Sequence, residues 1–176
     1  MSIIVGIVDH RGGLMDAKRA IPAGAIGTAV MSALWLVEPS IGLPKIAVGQ
    51  LLSTAMSVSV AQWSAGPAGG WIVHLIVGTV LALIYDAAFV RWLPGRPAVR
   101  GAIYGAIVFL AAQIVFMPLV GAGFFSHGDI ELLFGSLLGH LVYGVVVGWI
   151  CGLGLSESEH SAPAVAPPSS STSRAV

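Results

Sequence analysis

Residues 132–155 read LLFGSLLGHLVYGVVVGWICGLGL, a run without a single Asp, Glu, Lys or Arg. It exceeds the roughly 20 apolar residues that an α-helix needs to cross a hydrocarbon core. Three further segments, 21–37, 71–90 and 101–120, reach or with modest tilt approach that length. The whole chain follows the same rule. Charged residues are 9% of its 176 positions while AVILMFWYC make up 56%, against about 25% charged in soluble domains. Sixteen charged side chains are too few to clothe a soluble fold of this size, so the apolar surface must face lipid.

The expected architecture is therefore an all-α integral membrane protein with four transmembrane helices in residues 20–155. Residues 1–19 form a cytoplasmic N-terminal segment. There the apolar run 3–8 reads as a short helix or strand rather than a cleavable signal, since no basic region precedes it. Residues 156–176 are rich in Ser, Ala and Pro and read as a disordered cytoplasmic tail. A fifth apolar segment, 46–60, has Val48, Leu51, Leu52, Ala55 and Met56 on one helical face and Gln50, Ser53, Thr54 and Ser57 elsewhere. That pattern fits an amphipathic helix lying on the membrane surface in the first outer loop.

Charge orients the bundle. Arg11, Lys18 and Arg19 precede the first span, Arg91, Arg96 and Arg100 join the second to the third, and Arg174 lies in the tail; Lys45 alone falls on the opposite side. An excess of seven bases to one places both termini in the cytoplasm. Aromatic residues suit the same frame: Trp63, Trp71, Phe124 and Phe125 lie near one interface, and Trp92, Tyr104 and Trp149 near the other.

The two halves echo each other. His74-Leu75-x-x-Gly78 in the second span matches His140-Leu141-x-x-Gly144 in the fourth, and Gly24-Ala25-Ile26 matches Gly101-Ala102-Ile103. Two tandem helical hairpins related by a pseudo-two-fold along the membrane normal would produce this pattern. Gly144, Gly148 and Gly152 form a stripe at four-residue spacing, Gly78 is its counterpart, and Gly101 and Gly105 open the third span. Small residues at such positions let helix backbones approach closely in lipid, where no hydrophobic effect drives association.

The Met31–Leu34 stretch, Pro39 through Leu43, Leu93-Pro94-Gly95, Met117 through Gly123 and Gly135 through Gly144 together resemble a family of small bacterial inner-membrane proteins of unknown function. The likeness covers residues 20–152. It implies a location and an architecture, and brings no catalytic residues.

Candidate chemistry is sparse. His74 and His140 occupy equivalent places on the even-numbered helices, in the outer half of the membrane. An ionisable group inside a bilayer is costly and is a functional hypothesis by default. The pair could ligate haem b or relay a proton, or each ring could serve as polar glue to a neighbouring helix. In a sequential four-helix ring these two helices are diagonal neighbours and both rings can face the axis. Ser32, Gln113 and Ser136 lie at similar depth and are expected to form a polar cluster with them. Asp86 is the only acid or base expected within the spans, positioned to pair with Arg91, Arg96 or Arg100.

Zero net charge removes any basic field for nucleic acid, and the single Cys151 excludes an internal disulfide. No GxSxG, Walker loop, HExxH or paired intramembrane carboxylates occur. Asp9, His10 and Asp16 make only a weak metal motif in a solvated loop, so no metal site is expected. The expected function is thus a non-enzymatic accessory or assembly component without a cofactor. It would partner the lipid bilayer and a homo-oligomer or larger membrane complex. The rivals are a haem or metal redox protein using His74 and His140, and an oligomeric small-solute carrier or channel.

Overall fold

A computed structural model of the protein describes residues 17–43, 45–46 and 66–160, with side chains in the last stretch described from Ala68 to Leu153. No strand occurs among the described residues. Helix α1 spans Ala17–Val37 and runs into a 3-10 turn at Glu38–Ile41. Helix α2 covers Gly66–Ile84, α3 covers Pro97–Ala111 and α4 covers Ile130–His160. Four of these continuous helical stretches are long and apolar enough to cross a membrane: Ala17–Ile41, Ala68–Phe89, Pro97–Leu119 and Ile130–Leu153. The expected surface helix over 46–60 and the run 3–8 lie outside the described residues, apart from Ile46, which is buried.

Local chemistry sets the helix ends. Gly42, at φ 88°, closes the 3-10 turn, and the Leu43 amide donates to the Glu38 carbonyl at 3.1 Å; a left-handed glycine is the usual way to satisfy terminal carbonyls. Pro97 starts α3 with its ring already at helical φ, after an extended Arg96. The Asp129 carboxylate caps α4 by accepting from the Leu132 amide at 3.0 Å. Helix α4 continues to His160, past the boundary expected at 155. Its last residues, SESEH, are polar but contain nothing that breaks a helix.

Two helices widen into π turns, α2 at Tyr85–Phe89 and α3 at Ala112–Phe116. The second immediately precedes Met117-Pro118, and the cause is local: Pro118 offers no amide and its ring would crowd a carbonyl one turn back.

Helix α1 packs against α2 and α4, and α4 packs against α3. Glycines make these contacts possible. A methyl group on Gly101 would overlap the Gly144 carbonyl, and one on Gly144 would lie 2.8 Å from the Gly105 Cα. Gly148 and Gly152 face Pro97 and Gly101 on α3 in the same way. On the other flank, a methyl on Gly24 would lie 2.6 Å from the Thr79 Cα, and one on Gly78 would overlap the Thr28 hydroxyl.

The ring that these contacts build is not closed. Helices α2 and α3 meet at the end that carries the arginine link, where the Tyr104 ring lies 5.1 Å from Tyr85 and 5.0 Å from Phe89. There the Tyr104 hydroxyl donates to the Leu81 carbonyl at 2.8 Å. From α4, the Tyr143 hydroxyl reaches the Gly78 carbonyl at 2.6 Å. Tyr104 is 2% exposed, so it belongs to the interior and not to the interfacial belt expected of it; its hydroxyl is satisfied by a helix carbonyl instead of by water. Trp92 and Trp149 do face outward. Toward the opposite end the space between α2 and α3 is a cavity.

Candidate functional site

At the histidine end the site is organised by Trp35 on α1. Its indole stacks on His74, ring centroids 5.5 Å apart and planes 25° apart, and it meets His140 edge-on at 6.1 Å. Trp71 closes on His74 and Phe109 on His140, each with ring centroids 6.0 Å apart. The structure thus brings His74 and His140 against one shared aromatic residue. The Trp35 N–H donates to the Gly135 carbonyl at 3.3 Å. Gly139 leaves room for the indole, since a methyl there would lie 2.8 Å from the Trp35 Cε2.

The two imidazoles differ. His140 Nδ1 lies 2.7 Å from the Ser136 carbonyl of its own helix. A carbonyl can only accept, so Nδ1 carries the proton. In the neutral ring Nε2 is then a lone-pair acceptor directed away from the α4 backbone. His74 Nε2 is buried and has no hydrogen-bond partner. A buried polar atom left unpaired costs on the order of 1–3 kcal/mol, which makes it a place to look for a ligand.

Gln113 and Ser136 are joined as a cluster: the Gln113 amide donates to the Ser136 hydroxyl at 3.2 Å. Ser126 supplies the third member, donating to Gln113 Oε1 at 3.1 Å. Ser32 is half-buried on α1, and among the described residues no hydrogen bond joins it to Gln113 or Ser136. Ser126 lies in a loop that the sequence gives no reason to fold inward. It is brought there by a turn in which Phe125, Ser126 and His127 all have left-handed φ, between 47° and 55°. Left-handed backbone costs about 1–2 kcal/mol for each non-glycine residue, and the buried Ser126–Gln113 bond is one contact that holds the turn.

Glu38 is a second residue that the sequence reading passed over. The first span, expected to end at Val37, continues through the 3-10 turn to Ile41 and so includes it. Glu38 is fully buried, its two oxygens lack hydrogen-bond partners, and Gly135 makes room for it. Asp86 is therefore not the only acid within the spans. At the other end, Arg100 donates to the Val90 carbonyl at 3.1 Å, closing the end of α2.

The cavity has a volume of about 410 Å³. Val77 and Leu81 on α2 face Ala112 and Val115 on α3 across it, with Met31 and Tyr143 behind. His74, His140, Ser136 and Trp35 also contribute to the wall, whereas no Asp, Glu, Lys or Arg does so among the described residues. The described residues contain no cluster of three or more His, Cys, Asp or Glu side chains placed to hold a metal ion.

Four spans around an apolar chamber with a few polar atoms at one end define a multi-span helical membrane protein. Within that class the chain belongs to a family of unknown function, DUF6789, whose profile matches residues 14–162. No curated protein and no solved structure matches it.

Proposed function

We propose that the protein is a non-enzymatic membrane component that holds a small apolar molecule between α2 and α3. The cavity carries this reading. Its volume of about 410 Å³ falls in the range of roughly 300–1,000 Å³ typical of small-molecule pockets, and its apolar walls with few polar groups match their usual composition. Lipid is the medium from which such a ligand would enter. Native mass spectrometry of the detergent-solubilised protein tests the idea. Wild type should retain an apolar adduct after added lipid is stripped, and Ala112→Trp, which fills the chamber from the α3 wall, should lose it. Identical spectra for the two proteins would remove the proposal.

The bundle is read as two tandem hairpins with both termini on the cytoplasmic side of a bacterial inner membrane. Supporting the duplication, Gly24 abuts Gly78 while Gly101 abuts Gly144, so residues matched between the halves occupy matching contacts. Supporting the orientation, the arginine link joins α2 to α3. An accessory or assembly role in a homo-oligomer or larger complex fits a chain with so little catalytic equipment.

A second reading keeps haem b between His74 and His140. It draws on the same two Nε2 atoms, and it requires the Trp35 indole, which touches both rings, to leave its place. The visible spectrum of the purified protein separates the two readings. A haem band lost on either His74→Ala or His140→Ala would favour the cofactor.

A further inference from the structure

The polar atoms in the cavity wall specify what kind of head group the chamber accepts. From them we infer that the ligand is an uncharged apolar alcohol whose hydroxyl donates a hydrogen bond to His140 Nε2. The inference rests on the cavity reading above and adds to it the chemistry of the ligand.

Three observations narrow the choice. The His140 proton is committed to the Ser136 carbonyl at 2.7 Å, so the free nitrogen of this ring accepts and cannot donate while the ring is neutral. The group that meets it must therefore be a donor. His74 Nε2, buried without a partner, takes either role according to its tautomer. A hydroxyl complements both rings, since it donates to His140 and can accept from His74. Among the donors of the lining, the Trp35 N–H is given to the Gly135 carbonyl and the Thr28 and Tyr143 hydroxyls to the Gly24 and Gly78 carbonyls, while the Ser136 hydroxyl accepts from the Gln113 amide and keeps its own proton. A ligand with acceptors only, such as an ether, would thus leave the His140 lone pair unpaired.

Charge is excluded by the wall itself. With no Asp, Glu, Lys or Arg among the described lining residues, a carboxylate, phosphate or ammonium head would be stripped of water with no counter-charge, which is prohibitive in an apolar chamber. Fatty acids and charged lipid head groups are accordingly poor ligands. A phenol or quinol ring with an isoprenoid chain, and an isoprenoid alcohol, share the required chemistry.

Matched ligands test the inference on the full chain reconstituted in nanodiscs. Farnesol, its methyl ether and farnesoic acid are compared by competition for the cavity, with a farnesyl-substituted phenol as a further arm. Farnesol should bind about tenfold more tightly than its ether, about 1.4 kcal/mol, and the acid more weakly than either. His140→Phe keeps an aromatic ring but removes the acceptor. It should bring farnesol down to the level of the ether and leave ether binding unchanged. The phenol arm distinguishes sources: binding tighter than farnesol points to a quinol-type ring, and the reverse to a plain isoprenoid alcohol. Equal binding of farnesol and ether to wild type overturns the hydroxyl inference while leaving the cavity reading intact. Failure of all four to bind overturns both. The wild-type comparison stands even where the His140→Phe protein does not fold.

Discussion

Replacing Gly144 by alanine gives a test whose sign is informative. In an exposed helix, glycine to alanine stabilises by about 1 kcal/mol, because alanine has the higher helix propensity. At Gly144 the new methyl would lie 2.8 Å from both the Gly105 Cα and its amide nitrogen, and would overlap the Gly101 carbonyl. Carbon atoms in good contact stand about 3.5–4.0 Å apart, so α3 and α4 must separate locally by roughly 1 Å. A gap of that size forfeits a quarter to a half of each dispersion well along the seam. Overpacking of this kind costs about 1–3 kcal/mol. Set against the propensity gain, the expected net effect is a destabilisation of about 1 kcal/mol, with a similar result for Gly101→Ala on the facing helix. Equilibrium unfolding in mixed micelles measures it, with the lipid-facing Leu110→Ala, at a position 46% exposed, as a neutral control. A Gly144→Ala protein as stable as wild type, or more so, would mean that the glycine faces lipid and that the α3–α4 seam is wrong.

Other outcomes follow from the same structure. Tyr143→Phe and Tyr104→Phe each remove one hydroxyl bond to an α2 carbonyl, and each should cost about 0.6–1.7 kcal/mol in micelle unfolding; no loss in either would mean that α2 is not held by these bonds. Gln113→Leu strips Ser126 and Ser136 of their shared partner and should destabilise by about 1–3 kcal/mol, with protease sensitivity rising first in the 124–128 turn; an unchanged digestion pattern would argue against the buried cluster. Reporter fusions after Arg96 should show cytoplasmic activity and those after Ser126 the outer location, and a link between α2 and α3 labelled from outside the cell would reverse the orientation.

Sequence revealed the spans because apolar length alone decides them, and four long runs that hold one charged residue among them, Asp86, leave little choice. It revealed the glycine seams because close helix contact in lipid needs small residues at regular spacing. His74 and His140 stood out as ionisable groups in apolar runs, as did Gln113 and Ser136 by depth. Trp35 did not, because a tryptophan in a span is equally at home facing lipid, and only tertiary packing puts it against both histidines. Ser126 was hidden in a loop whose left-handed backbone has no sequence signature here beyond the flanking Gly123 and Gly128. Glu38 did not stand out either, since the expected span ends at Val37 and the 3-10 extension that carries it to Ile41 is not encoded in hydropathy. The gap between α2 and α3 was also illegible: apolar residues lining a chamber and apolar residues facing lipid read alike.

Photo-crosslinking with an apolar diazirine probe in native membranes addresses the central claim, that the gap between α2 and α3 is a binding site. Adducts should saturate with probe concentration, concentrate on the cavity walls around Val77, Leu81, Ala112 and Val115, and disappear in Ala112→Trp. Unsaturable labelling spread over outward-facing residues such as Leu36, Ile72 and Ile130, unaffected by the substitution, would show that lipid merely bathes the bundle and that the gap holds nothing.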